Sequence, residues 1–157
     1  MDTKTRLATE KDLPQIADIA AEAFWEEIGD KRKAKEVFHE RVVPRWRELL
    51  RDRSSVIAVA EANGNVAGFA ILRWWFGWNG WLEAIAVKKE LRGRGLGKSL
   101  MEFILRQAKH LGYRRVCFAI RRNDPVSKFY SKFGARFMGR IPDEELGELD
   151  LYYIEVR

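Results

Sequence analysis

Cysteine is almost missing from this chain of 157 residues: Cys117 stands alone. That excludes an internal disulfide and any cysteine-based metal cluster. Histidine is nearly as scarce, with only His39 and His110, so a histidine-rich metal site is excluded and no metal is expected. No apolar run approaches the ~20 residues that a helix needs to cross a bilayer. Met1-Asp2-Thr3-Lys4 leads into no signal-type apolar segment. The expectation is therefore no membrane partner and a reducing, cytoplasmic location. No repeat, low-complexity tract or linker interrupts the chain, which predicts one domain over residues 4–157.

Charge is plentiful. Lys and Arg number 29 against 23 Asp and Glu, for a net charge of +6. Basic clusters stand at Lys31–Lys35, Arg45–Arg53, Arg114-Arg115 and Arg121-Arg122. Solvated helix faces are the common reason for such clusters, and an anionic ligand would use some of this charge. A nucleic-acid-binding module is a rival reading, but no nucleic-acid motif accompanies the clusters, so nucleic acid is not the expected partner.

One stretch organises the rest: Arg92-Gly93-Arg94-Gly95-Leu96-Gly97-Lys98. Alternate glycines permit a tight turn whose backbone N–H groups can close on a bound group. Leu96, Leu100, Phe103, Ile104, Ala108 and Leu111 then recur at helical spacing, and Gly112 supplies a stop. The N-terminus of that helix offers free amides and a positive dipole end to an anion. Trp81 to Val87 upstream reads as a largely buried strand. Strand, basic glycine loop and helix make a phosphate-binding unit. It is no P-loop, because the position five before Gly97 is Arg92. Nor is it a dinucleotide fingerprint, because Lys98 or Leu100 would have to be glycine.

Around it the chain alternates. Thr5 to Ala8 suits a first strand, and Thr9 caps a helix whose stripe runs through Ile16, Ile19, Ala20 and Phe24. A second helical stretch runs from about Lys31 to Val43, with a kink or new helix from Pro44 through Leu50. Strands follow at Ser55–Ala60 and Val66–Leu72, joined by an Asn63-Gly64 turn, and then an aromatic segment, Trp74 to Trp81. After the glycine loop and its helix come a strand from Tyr113 to Ile120, parallel to the central one, and a short helix opened by Asn123-Asp124-Pro125. Two last strands, Phe137–Ile141 and Leu151–Val156, flank the acidic stretch Asp143–Asp150. This predicts an α+β fold with a mixed central sheet flanked by helices on both faces, in the order β-α-α-β-β-β-α-β-α-β-β.

Arg92, Gly95 and Gly97 meet Arg-x-x-Gly-x-Gly after a strand ending Ile85-Ala86-Val87, and Asn123 and Tyr130 stand seven apart before Gly134-Ala135-Arg136-Phe137. In these two motifs and in element order the whole chain resembles the GNAT superfamily of acetyl-CoA-dependent N-acetyltransferases. The resemblance implies acetyl-CoA as acyl donor, with its pyrophosphate on the backbone of Gly93, Arg94, Gly95, Leu96, Gly97 and Lys98 beside Arg92. It implies a pantetheine arm paired with Ile85, Ala86 and Val87, in a gap where the sheet splays. Tyr130 becomes the general acid for the departing thiolate, although Val126, Phe129, Tyr130 and Phe133 also suit a core stripe. Asn123 suits either a bond to the pantetheine arm or a helix cap. Glu83, four residues before Val87 and so expected on its face of the strand, is the candidate base, or else a strand-end salt bridge.

The expected acceptor is a primary amine. Phe24-Trp25-Glu26-Glu27, the aromatic run Trp74–Trp78 and the five carboxylates in Asp143–Asp150 suggest that it is cationic, a polyamine-like molecule or a peptide amino end. A non-catalytic acyl-CoA sensor on the same fold is the other rival. The exposed aromatics and final strands leave room for a homodimer.

Overall fold

The computed structural model describes residues 1–157. Seven strands form one sheet: β1 (Thr3–Leu7), β2 (Val56–Ala62), β3 (Asn65–Phe76), β4 (Asn79–Val87), β5 (Arg115–Arg121), β6 (Arg136–Asp143) and β7 (Gly147–Glu155), in spatial order β1-β2-β3-β4-β5-β7-β6. All neighbours are antiparallel except β4 and β5. Helices α1 (Leu13–Ile28), α2 (Lys31–Glu36) and α3 (Val43–Leu49) precede β2, while α4 (Leu96–His110) and α5 (Ser127–Ser131) flank β5.

The central strands are buried on both faces, which is why β2 and β3 read as nearly unbroken apolar runs. On one face Ala58, Ala60, Ala67 and Ala70 form a floor of small side chains under Leu100, Met101, Ile104 and Ala108 of α4. Small residues there let the helix come close. On the other face Ile57, Val59, Phe69 and Ile71 meet Leu13, Ile16 and Ile19 of α1 and Trp46 of α3. Each fully buried aliphatic side chain contributes about 1.5–3 kcal/mol. Arg6 clamps the start of α1, reaching Asp12 at 2.7 Å and Glu61 at 2.9 Å, while Asp12 accepts the Thr9 N–H at 2.7 Å.

The structure differs from the sequence expectation in four places. The new helix expected near Pro44 is present as α3, with Pro44 in the first turn, where its missing N–H costs nothing, but it is joined to α2 by an unannounced π-helical segment, Val37–Val42. The aromatic segment is not a loop; β3 extends through Phe76 and β4 starts at Asn79, so Trp74, Phe76 and Trp78 stand exposed at a hairpin tip. The acidic stretch largely continues β6 and β7, leaving three turn residues between them. The helix before Phe133 is shorter than expected, because the turn at Asn123 and Asp124 takes up its first residues.

Candidate active site

The site begins where the sheet comes apart. β4 and β5 pair only at Asn79↔Arg115, Gly80↔Val116 and Trp81↔Cys117. Beyond Trp81 the two strands diverge, so the β5 side of Leu82–Val87, which includes Ile85, Ala86 and Val87, has no strand beside it. The other side stays paired to β3, with a register shift at Ile71/Leu72, where Ile71 faces Ala84 and Leu72 faces Leu82. Glu83 is the extra residue of that β-bulge.

The bulge corrects the expectation that Glu83 shares a face with Val87. Val87 packs on the α4 side. Glu83 turns to the opposite side, where Arg45 holds it at 2.5 Å, the Arg73 Nε–H donates at 3.1 Å and the Trp46 indole N–H at 3.2 Å. Burial works against its charge, but Arg45, Trp46 and Arg73 prevail and hold the carboxyl below its usual range. A carboxylate so bound is a weak proton acceptor and a strong tether between α3 and the bulge.

At the end of β4, a single 3-10 turn (Lys89–Leu91) leads into the glycine loop. Gly93 and Gly95 adopt φ of +77° and +85°, a left-handed conformation that only glycine takes at little cost. The first backbone bond into α4 runs from the Ser99 N–H to the Gly95 carbonyl, leaving the amides of residues 93 to 98 without backbone acceptors. Arg94 and Lys98 carry charge alongside, and Arg92 folds back so that its Nε–H donates to the Val87 carbonyl at 3.1 Å. Free amides, a helix N-terminus and positive charge fit an anionic phosphate group.

The gap between β4 and β5 opens into a cavity of about 450 Å³ lined by 18 residues, 14 of them hydrophobic. Leu82, Glu83, Ala84 and Ile85 form one wall, and Phe118 to Arg121 the other. Tyr130 of α5 lies in the cavity wall, its ring packed on Phe118 at 4.2 Å between centroids. Burial and the charge of Asp124 hold its phenol far above the ordinary tyrosine range. Tyr130 thus has both characters open to it, a core ring and a cavity wall.

Asn123 sits outside the cavity in a left-handed turn with φ of +65°, which asparagine tolerates. It does not cap α5, whose start carries no side-chain cap; Asp124 accepts the Val126 N–H at 2.9 Å in the turn just before the helix. Phe24 and Glu27 line the cavity from the last turns of α1, and Leu146 and Leu149 close it from the β6–β7 hairpin. The tryptophans of the hairpin tip do not reach it. Within the acidic stretch Glu148 pairs with Arg122 at 2.7 Å and buried Asp150 with Arg140 at 2.5 Å, so two of its five carboxylates are already neutralised.

Sequence pattern alone does not announce Arg121 or Glu27 as partners. Alternation along β5 puts Arg121 on the face of Cys117 and Ala119, which was the available signal, and Glu27 approaches it at 3.9 Å. The Glu27 carboxylate accepts no hydrogen bond, and burial, opposed by Arg121, raises its carboxyl above the usual range.

The sequence matches the acetyltransferase (GNAT) family over residues 16–135. Over 90 residues it is 31% identical to a protein of Bacillus subtilis (strain 168) that bears the provisional name ribosomal protein bS18-alanine N-acetyltransferase. That alignment spans 57% of this chain and 59% of the relative, so the chain matches about three-fifths of the relative's length. An N-acetyltransferase from Staphylococcus aureus Mu50 superposes with a TM-score of 0.82 at 23% identity, over 100% of both chains. The PaiA N-acetyltransferase of Thermoplasma acidophilum, solved in complex with coenzyme A, gives 0.80 at 17% identity over 99% of each. At such identities the superpositions establish the fold.

Proposed function

This chain belongs to the acetyltransferase (GNAT) family, and from that premise we propose that it moves the acetyl group of acetyl-CoA to the nitrogen of a primary amine. Residues 4–157 are read as one acetyltransferase domain. The observation that carries the reading is the gap between β4 and β5, which joins the glycine loop at one end to the Tyr130 cavity at the other. A long donor with a phosphate-rich end and a thioester end matches that layout.

The amides of Gly93, Arg94, Gly95, Leu96, Gly97 and Lys98, with the charges of Arg92, Arg94 and Lys98, would hold the pyrophosphate. The unpaired edge of Ile85, Ala86 and Val87 would take the amide-bearing arm as an added strand. Asn123 is assigned the turn rather than the donor. The acceptor arrives protonated and must lose one proton to attack. Glu83 is too well tethered for that task, and Asp124 is occupied by the Val126 N–H, which leaves Glu27 as the cavity carboxylate able to receive it.

The nitrogen then forms its bond to the carbonyl carbon as the carbon–sulfur bond breaks. Tyr130 gives its proton to the leaving sulfur, and the second amine proton, released as the amide forms, restores the phenol through solvent. A phenol kept neutral across the working pH range is suited to that step. Acetyl-CoA-dependent thiol release with a pool of amines tests the reading. Donor binding without release would point to an acyl-CoA sensor instead, and neither binding nor release would overturn both.

A further inference from the structure

We infer that Arg121 is a specificity-determining residue that binds the oxygen of a carbonyl or carboxylate group α to the acceptor's amine, and that the acceptor is therefore an α-amino-acid unit with an apolar side chain. The inference rests on the acetyl-transfer reading above.

Arg121 lines the cavity with its side chain about 39% exposed, and its guanidinium makes no hydrogen bond: its terminal nitrogen meets only Glu27, at 3.9 Å, and its Nε–H is enclosed without an acceptor. Its neighbours behave differently: Arg45 and Arg73 end on Glu83, Arg122 on Glu148 and Arg140 on Asp150. A guanidinium offers five donors in one plane, and the terminal N–H groups of Arg121, which no protein acceptor uses, are free to donate to an oxygen entering the cavity beside them. The chemistry of the neighbouring group specifies that oxygen further. Glu27 lies 3.9 Å from Arg121, close enough for one small headgroup to touch both. An ammonium on Glu27 and an oxygen on Arg121 are then separated as they are in an α-amino carbonyl unit.

The remainder of the cavity decides the side chain. Phe24, Phe38, Val126, Leu146 and Leu149 surround the pair with apolar surface. A polyamine would carry a second ammonium into that surface, where Glu83 is bound by two arginines and Asp124 accepts the Val126 N–H. An unpaired buried charge is strongly disfavoured, whereas an apolar side chain gains from burial. This redirects the expectation of a polycationic acceptor toward a singly charged, apolar one.

The test is kcat/KM per unprotonated amine, read by thiol release from acetyl-CoA, for phenylalaninamide against phenethylamine, which differ in the carboxamide and in the lower amine pKa it causes. The expected ratio is about tenfold or more, the scale of one charge-assisted hydrogen bond. Glycinamide and spermidine should be slower than phenylalaninamide. Arg121→Met should bring the ratio close to one and Arg121→Lys should retain part of it, with coenzyme A binding measured in each variant to confirm an intact donor loop. Free phenylalanine outpacing its amide would identify a carboxylate ligand, and a phenylalanyl dipeptide outpacing both would identify a peptide amino end. A wild-type ratio near one, a spermidine preference, or an undiminished ratio in Arg121→Met would overturn the inference. Absence of thiol release with every amine would instead overturn the acetyl-transfer reading, and this inference with it.

Discussion

The glycine loop and the Tyr130 cavity are two ends of one gap, built on opposite plans. The loop comes from consecutive residues, 92 to 98, and offers mainly backbone amides, so what matters there is conformation: φ of +77° and +85° at Gly93 and Gly95. The cavity draws side chains from α1, the π segment, α3, β4, β5, α5 and the β6–β7 hairpin. Its properties depend on which side chains neutralise one another over long sequence distances. A backbone site can serve any chain that makes the same turn, whereas a side-chain site is particular to this one. On the proposed acetyl-transfer reading, donor recognition is the general half of the molecule and acceptor recognition the individual half.

The largest expected effect falls on the loop. Gly95→Glu forces a side chain into a left-handed conformation and sets negative charge beside the pyrophosphate, and should weaken coenzyme A binding roughly a thousandfold by calorimetric titration. Unchanged affinity in the folded variant would break the assignment of the loop as the donor site. Next comes Tyr130→Phe, expected to lower kcat roughly a hundredfold while donor affinity stays within about twofold, since one hydroxyl is lost from a well-packed ring. Lost thermal stability with normal turnover would return Tyr130 to the core.

Glu27→Gln should cost about tenfold in kcat/KM at neutral pH. Because the Glu27 carboxyl is raised above its ordinary value, wild-type activity should fall as pH drops through that raised value. The glutamine variant should lack this break, and a shared pH profile would remove Glu27 from the proton path.

The smallest effect concerns stability. Glu83 and Asp12 are both held below the ordinary carboxylate range. Their contribution is therefore complete above the unfolded-state value and is lost as pH falls through the lower folded-state value. Glu83→Gln should lower Tm by about 5 °C at pH 7, through the unmatched Arg45 and Arg73, and the difference should close in strong acid. A constant difference across pH would mean that packing at the bulge, rather than charge, stabilises it.

The same contrast explains what was legible beforehand. Arg92, Gly95 and Gly97 announce the loop because local sequence determines local conformation, and the sheet follows from apolar runs and turn signals. The superpositions support that fold, and the family match supports the acetyltransferase assignment. The orientation of Glu83 was not legible, because counting by twos along a strand assumes an unbroken pleat and the bulge adds a residue. Its partners Arg45 and Trp46 lie 38 and 37 positions away, beyond any local pattern. The aromatic run and the acidic stretch misled for a related reason: unusual composition was visible, but the hairpins that carry Trp78 and Glu148 away from the cavity or onto arginines were not.

The three-pair junction between β4 and β5 makes the sheet a lever with its pivot at Asn79–Trp81. A small rotation there grows with distance along the strands and becomes a change of width at the far end of the gap. The pivot itself is tight: a methyl group on Gly80 would come within 2.9 Å of Leu72 and 3.0 Å of Tyr113, whose hydroxyl donates to the Ser54 carbonyl at 2.6 Å. The stiffness of the wedge is thus set by residues that never meet a substrate, at the end of the strand opposite the glycine loop.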